Sequence, residues 1–196
     1  MNTKTKASRR RIGVITRSPY SPRIKSRLSA EIGQEKARCC YNELLSNTLQ
    51  CASNFDSTVY VDGPIEDRNW LLGLPHKPQR VADLGQRMLA CFEDGTNVLV
   101  GGDSPLMSIA YLENALDSLL SHDLVLGPTD DGGYVLIGMN EPIPELFENI
   151  PWSTEKVLSA TTEVANALDL SVKCLDQVWD VDTEADYIRW LDLRRK

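Results

Sequence analysis

Four cations stand within eleven residues, at Arg17, Arg23, Lys25 and Arg27, in a run that also carries several serines and prolines. Side chains of this kind neutralise phosphate oxygens, and arginine adds a planar two-pronged donor. The alternative is a solvated basic loop. A second group is Gly101-Gly102-Asp103-Ser104-Pro105, which ends an apolar run from Asn97 to Val100. A carboxylate there suits Mg2+ or Mn2+, ions that bridge to phosphate oxygens, while the flanking glycines let a ligand approach the backbone. The competing reading is an aspartate that caps a helix. A third group is Asp180-Val181-Asp182-Thr183. If the chain returns there to the edge that carries Asp103, Asp182 becomes a second metal ligand with Asp180 nearby; otherwise Asp182 or Thr183 caps a helix. The fourth is Asp131-Gly132-Gly133-Tyr134, followed later by Pro151-Trp152-Ser153-Thr154. Asp-Gly-Gly is an ordinary turn, and Trp152 suits either stacking on a substrate or packing as a buried indole.

These groups need a scaffold that brings them to one place. β-prone runs at Ile12–Thr16, Ser57–Val61, Asn97–Val100, Leu124–Leu126, Tyr134–Ile137 and near Val172 alternate with segments of helical periodicity. The helices are expected around Ala37–Leu49 (following a cap at Ser29), Leu84–Phe92, after a Ser104 cap with Pro105 first, Thr154–Leu168, and from Glu184. Thr183 and Asp186 form a capping box for the last of them. Residues 62–80 hold Gly63, Pro64, Gly73, Pro75 and Pro78 and read as a long irregular connection. Such alternation predicts a mainly parallel sheet covered on both faces, with ligands at the carboxyl ends of its strands.

Bulk properties bound the function. The 196 residues suit one domain, residues 12–196, behind a basic leader of residues 1–11. A net charge of −7 argues against non-specific nucleic-acid binding, and no apolar run approaches the ~20 residues of a membrane span. Five cysteines without a C-x-x-C spacing imply neither a disulfide framework nor a zinc site, and point to a cytoplasmic setting. With only His76 and His122 and no G-x-S-x-G, a Ser-His-Asp hydrolase is disfavoured. Neither the P-loop pattern nor G-x-G-x-x-G occurs.

Taken in order, these motifs resemble a bacterial family of nucleotide-diphospho-sugar-transferase fold. Its members are described as transferases associated with radical-SAM and selenium-domain proteins, or as arsenosugar-biosynthesis glycosyltransferases. Arg17-Ser-Pro…Arg23-Ile-Lys25-Ser26-Arg27-Leu28 is similar to the family's "R-x-P…G-R-x-K-T-R-L" opening, and Asp83-Leu84-Gly85-Gln86-Arg87-Met88 to its "G-D-L-G-x-R-M". Gly102-Asp103-Ser104-Pro105 falls on "G-T-D-x-P", and Gly127 to Gly138 on "G-P-A-x-D-G-G-Y-x-L-I-G". Lys25-Ser26-Arg27-Leu28 also resembles, more distantly, the opening of 2-phospholactate guanylyltransferases. Ala82, Ser21-Pro22 and Gly102 depart from the family's glycine, Pro-Gly and threonine.

The resemblance implies an α/β fold: a three-layer α/β/α sandwich of the GT-A type, with a mainly parallel central sheet. It implies nucleotide binding by Arg17, Ser18, Pro19, Arg23, Lys25, Arg27, Asp83, Gly85, Arg87 and Gly102, and Mg2+ or Mn2+ on Asp103 and Asp182. Gly132, Gly133, Tyr134, Trp152 and Ser153 would meet the acceptor, and Lys25, Arg27, Asp103 and Asp131 would carry the chemistry. The expected partners are a nucleotide, either an NTP or a nucleotide sugar, and a small-molecule acceptor, with no nucleic acid, no membrane and the oligomeric state open. Nucleotidyl transfer from an NTP to a phosphorylated small molecule is the first expectation. Glycosyl transfer from a nucleotide sugar is the second, and a nucleotide-binding protein without turnover the third.

Overall fold

The computed structural model describes residues 10–80 and 82–195; most of the leader, residues 1–9, lies outside that range. Seven strands form one sheet in the order β3-β2-β1-β4-β6-β5-β7. They are β1 (Arg11–Arg17), β2 (Asp56–Asp62), β3 (His76–Pro78), β4 (Val98–Gly101), β5 (Leu124–Pro128), β6 (Tyr134–Met139) and β7 (Val172–Cys174). Every pairing is parallel except the two made by β6, which runs antiparallel between β4 and β5. The mainly parallel sheet expected from the alternation is therefore present, with one reversed strand that the Asp130–Gly133 turn produces.

Among the described residues six α-helices cover the sheet: α1 (Ser26–Ile32), α2 (Gln34–Ala52), α3 (Leu84–Glu93), α4 (Ile109–Ser118), α5 (Val157–Ala167) and α6 (Glu184–Leu193). Successive strand side chains point to opposite faces, so a central strand supplies two cores. Val98 and Val100 join Tyr41, Leu45 and Leu49 of α2 and Leu112 and Leu116 of α4 on one face. Leu99 joins Met88 and Phe92 of α3, Phe147, and Ile137 and Met139 of β6 on the other. A third cluster packs Leu28 of α1 and Leu44 of α2 against Trp179, Val181 and Trp190 of α6. Each such fully buried aliphatic side chain stabilises the fold by about 1.5–3 kcal/mol. Cys40, Cys51 and Cys91 are buried free thiols, and Cys39 and Cys174 are exposed ones. Among the described residues no helix is long and apolar enough to cross a membrane.

Four local readings change. Ser29 does not cap a helix but lies inside α1, and Gly33 then separates α1 from α2. Ser104 does not start α4: its hydroxyl accepts from the Leu106 N–H (3.4 Å) in a tight turn, and Ser108 caps the helix by accepting from the Tyr111 N–H (3.2 Å). The connection at 62–80 contains β3, a three-residue edge strand whose Pro78 and lack of alternation concealed it. β1 begins at Arg11, one residue before the expected start. The capping box at Thr183 and Asp186 forms as read.

Candidate active site

The carboxyl ends of β1, β4 and β5 open into a cleft of about 600 Å3, a volume suited to a cofactor-sized ligand. One wall comes from the end of β1 and the segment after it, where Arg17, Arg23, Lys25 and Arg27 all line the space, with Arg87 from α3 beside them. The acidic part of the lining is Asp103, Asp131, Asp180 and Asp182, with Thr129, Gly133, Tyr134 and Ser153.

The cationic wall is held from below. The Tyr41 hydroxyl donates to the Arg17 carbonyl (2.7 Å), lies 2.7 Å from the Thr16 hydroxyl and accepts from the Arg17 N–H (3.1 Å), which pins the end of β1 to α2. Arg17 donates to the Arg23 carbonyl (2.6 Å) and pairs with Asp62 at 3.6 Å. Arg87 reaches the same carboxylate at 3.3 Å, and Gln79 braces β1 and β2 by donating to the Thr16 (2.8 Å) and Tyr60 (3.0 Å) carbonyls. Arg23 and Arg27 are exposed and have no ion-pair partner among the described residues, so their charge faces the cleft uncompensated.

Lys25 is different. Its backbone is left-handed (φ 43°, ψ 53°), a conformation costing a non-glycine residue roughly 1–2 kcal/mol. Its side chain is 6% exposed and crosses the cleft floor, donating to Asp103 Oδ2 (2.8 Å) and Asp182 Oδ1 (2.6 Å). Burial alone would depress the ammonium pKa, but the two carboxylates outweigh it and hold the charge firmly.

Topology explains how distant aspartates meet. After β7 the chain keeps following β5: Leu175 donates to the Leu126 carbonyl (2.8 Å), Val178 to that of Pro128 (2.9 Å), and Thr129 bridges Val178 in parallel. The Val181 N–H then reaches the Asp103 carbonyl (3.4 Å). In this extended stretch Trp179 and Val181 turn into the α1–α2–α6 cluster, so the alternate residues Asp180 and Asp182 face the cleft. One carboxylate oxygen each from Asp103, Asp180 and Asp182 lies within 4.8 Å of the others, a donor set that fits a hard divalent cation. The Asp180 carboxyl is pushed up to about 7 by burial first and by the Asp103 carboxylate next; Lys25 opposes the shift, and Asp182 and Asp131 add to it.

At the far end Asp131 is exposed, and its Oδ1 accepts from the Thr129 hydroxyl (2.5 Å) and the Gly133 N–H (3.0 Å). Tyr134 lines the cleft while its hydroxyl is buried against Thr161 of α5. What it offers the cleft is therefore ring surface rather than a donor.

The structure gathers Arg17, Arg23, Lys25, Arg27, Arg87, Gly102, Asp103, Asp131, Gly133, Tyr134, Ser153 and Asp182 around one space. Six other expected site residues do not line it. Ser18 is buried and donates to the Pro64 carbonyl, and Pro19 accepts from Arg38 behind the loop (3.2 Å). Asp83 caps α3 by accepting from the Gln86 N–H (2.9 Å). Gly85 and Trp152 belong together: a side chain on Gly85 would come within 2.8 Å of the indole, so the pair closes α3 on the 144–152 segment. Gly132 (φ 85°) is pressed against the Glu155 carbonyl and accepts from the Leu158 N–H (2.9 Å). Gly102 touches the cleft, yet a side chain there would meet Leu45 at 2.8 Å and the Thr16 hydroxyl at 3.1 Å, so its direction is toward the core. Asp62, Gln79, Tyr41 and Thr129 line the cleft without having been expected there. Their one signal was position at a strand end or on an apolar helix face; Asp62 directly follows the expected strand Ser57–Val61, and Gln79 depended on recognising β3.

No curated protein matches the chain. Among solved structures, a candidate nucleotide-diphospho-sugar transferase from Desulfovibrio desulfuricans G20 is 28% identical, with a TM-score of 0.78 over 89% of this chain and 83% of that one. The 4-diphosphocytidyl-2C-methyl-D-erythritol synthase of Anaerococcus prevotii DSM 20548 is 12% identical, with a TM-score of 0.60 over 94% and 98%. Rv0371c of Mycobacterium tuberculosis H37Rv, in its complex with manganese, is 17% identical, with a TM-score of 0.54 over 93% and 98%. At these identities the last two share the fold alone, which is the GT-A-like arrangement expected from the motifs. A family model described as "Uncharacterized protein conserved in bacteria (DUF2064)" matches residues 43–154, more than half of the sequence, and the chain belongs to that family.

Proposed function

We propose that the protein is a metal-dependent nucleotidyltransferase that draws on a nucleoside triphosphate. The observation that carries this reading is one cleft lined by five cations, with Asp62 set among them, and by Asp103, Asp180 and Asp182 clustered together with Asp131 beyond. Arg17, Arg23, Lys25, Arg27 and Arg87 provide more cationic contacts than the diphosphate of a nucleotide sugar requires, and they suit the leaving pyrophosphate of a triphosphate. Asp103, Asp180 and Asp182 would hold Mg2+ or Mn2+, which when bound supplies alignment and charge neutralisation of phosphate oxygens. Arg23 and Arg27, unpaired and exposed, are free to turn onto phosphate oxygens, whereas Arg17 and Arg87 are held near Asp62 at the cleft's side. Asp131 would receive the proton of an acceptor hydroxyl, since Thr129 and Gly133 fix one carboxylate oxygen and leave the other for a proton. A phosphorylated acceptor would have to share the cationic wall.

Glycosyl transfer is the second reading. Asp131, Thr129, Ser153 and the Tyr134 ring form a surface suited to a sugar-like or other hydroxylated acceptor, and the 28%-identical relative is a candidate nucleotide-diphospho-sugar transferase. Incubation with a panel of NTPs and nucleotide sugars plus candidate acceptors separates the two. Acceptor-dependent pyrophosphate release is the expected result; nucleoside diphosphate release from a nucleotide sugar would replace the first reading with the second. Binding of a nucleotide with neither product would leave the noncatalytic role. The 12–196 domain is proposed as the unit that does this work.

A further inference from the structure

We infer that Lys25 couples cation binding to phosphate binding: its ammonium competes with a divalent cation for Asp103 and Asp182, and a polyphosphate relieves the competition by taking the ammonium over. The inference rests on the reading of Asp103, Asp180 and Asp182 as a cation site, and adds to it a reason for two ligands to bind together.

Of the four cations clustered after β1, Lys25 alone crosses to the acidic wall, where it donates to Asp103 Oδ2 at 2.8 Å and Asp182 Oδ1 at 2.6 Å. Both carboxylates belong to the set whose oxygens lie within 4.8 Å of one another. An ammonium is a compact point charge, and two cations drawing on the same carboxylates in a site whose lysine side chain is 6% exposed repel strongly. A cation that enters must therefore push the ammonium out. A displaced ammonium in a buried position with no new partner is expensive, which weakens cation binding on its own.

The unbranched stem of Lys25 gives the ammonium somewhere to go. Its backbone is fixed at the entry to α1, and Arg23 and Arg27 beside it line the same cleft with their charges unpaired. A phosphate chain drawn to them offers the displaced ammonium a new anionic partner. Coupling of this kind is reciprocal, so the cation strengthens polyphosphate binding by the same factor that polyphosphate strengthens cation binding. It also gives Lys25 two partners, carboxylate and phosphate, which reconciles the contact observed with the phosphate contact implied by its motif.

The test titrates Mn2+ into wild type, Lys25→Met and Arg27→Met, reading free Mn2+ by electron paramagnetic resonance. Lys25→Met should bind Mn2+ roughly tenfold tighter than wild type, and Arg27→Met, which loses the same charge outside the carboxylate contact, should change far less. In wild type, acylation of Lys25 by an amine-reactive reagent, measured by mass spectrometry, should rise with saturating Mn2+. It should fall again on adding tripolyphosphate with Mn2+ kept in excess; this readout does not depend on the variant folding. If Mn2+ binds but Lys25→Met is no tighter, or Lys25 labelling ignores saturating Mn2+, the coupling is overturned and the cation site stands. If none of the three proteins binds Mn2+ at millimolar concentration, the cation-site reading itself fails and takes the inference with it.

Discussion

Four of the five cations in the cleft come from one eleven-residue stretch, whereas the acidic wall draws its four carboxylates from three separated segments, at Asp103, Asp131 and Asp180–Asp182, and a fifth carboxylate, Asp62, pairs with Arg17 and Arg87 on the cationic side. The cationic wall is a local product: one loop and the first turn of α1, braced by Tyr41 and Gln79. The acidic wall is a topological product. It exists because β6 is inserted antiparallel between β4 and β5, and because the chain after β7 keeps following β5 until Val178. The comparison teaches that the two walls have different tolerances. Arg23 and Arg27 of the cationic wall are exposed, and removing one leaves the other to share its work. Asp103, Asp180 and Asp182 are packed within reach of one another beside one buried lysine, so each change there alters the charge seen by the rest.

The sharpest break of that asymmetry is Asp103→Ala, expected to lower metal-dependent turnover by about a hundredfold or more while the protein still folds. Undiminished Mg2+-dependent nucleotide affinity in this variant would remove Asp103 from its role. Next, replacing Lys25 and Arg27 together by Ala should weaken a nucleoside triphosphate by about 10- to 100-fold, a diphosphate less, and a nucleoside hardly at all. Equal loss for all three, measured by calorimetry, would mean that the loop does not read phosphates.

Gly85 lies on neither wall. Gly85→Ala should cost about 1–3 kcal/mol in denaturant unfolding, because its methyl group would meet the Trp152 indole, and the dependence on phosphate number should be unchanged. The smallest effect concerns Asp180. Its folded pKa of about 7 lies above the usual carboxylate value of 3.8, so ionising it penalises the fold progressively as pH rises between those values. With chelator present, Asp180→Asn should therefore raise stability by about 1–2 kcal/mol at pH 8 and leave it nearly unchanged at pH 4. A variant less stable at pH 8 would show that the Asp180 carboxylate makes contacts worth more than its repulsion.

The same asymmetry explains what the sequence made legible. The run from Arg17 to Arg27 is contiguous, so its cations could be read as one group before any strand was placed. Asp103 was legible because an apolar strand ending in glycines puts its next residue at the sheet edge. Asp182 could be proposed only on condition that the chain returned there, and Asp180 entered the triad through an alternation that needs Trp179 and Val181 buried on the other side. Gly85, Gly132 and Trp152 stood inside motifs, yet their positions answer to close packing, which spacing alone does not distinguish from contact with a ligand. β3 was hidden because a three-residue edge strand ending in Pro78 has no alternation to read. Its absence also hid Gln79.

The most direct test of the polarised cleft is calorimetric titration of nucleoside mono-, di- and triphosphates into the wild-type protein, with and without Mg2+ or Mn2+. The account predicts affinity that climbs with each phosphate and needs the divalent ion for its full strength. Affinity independent of phosphate number, or unchanged by the ion, would contradict it.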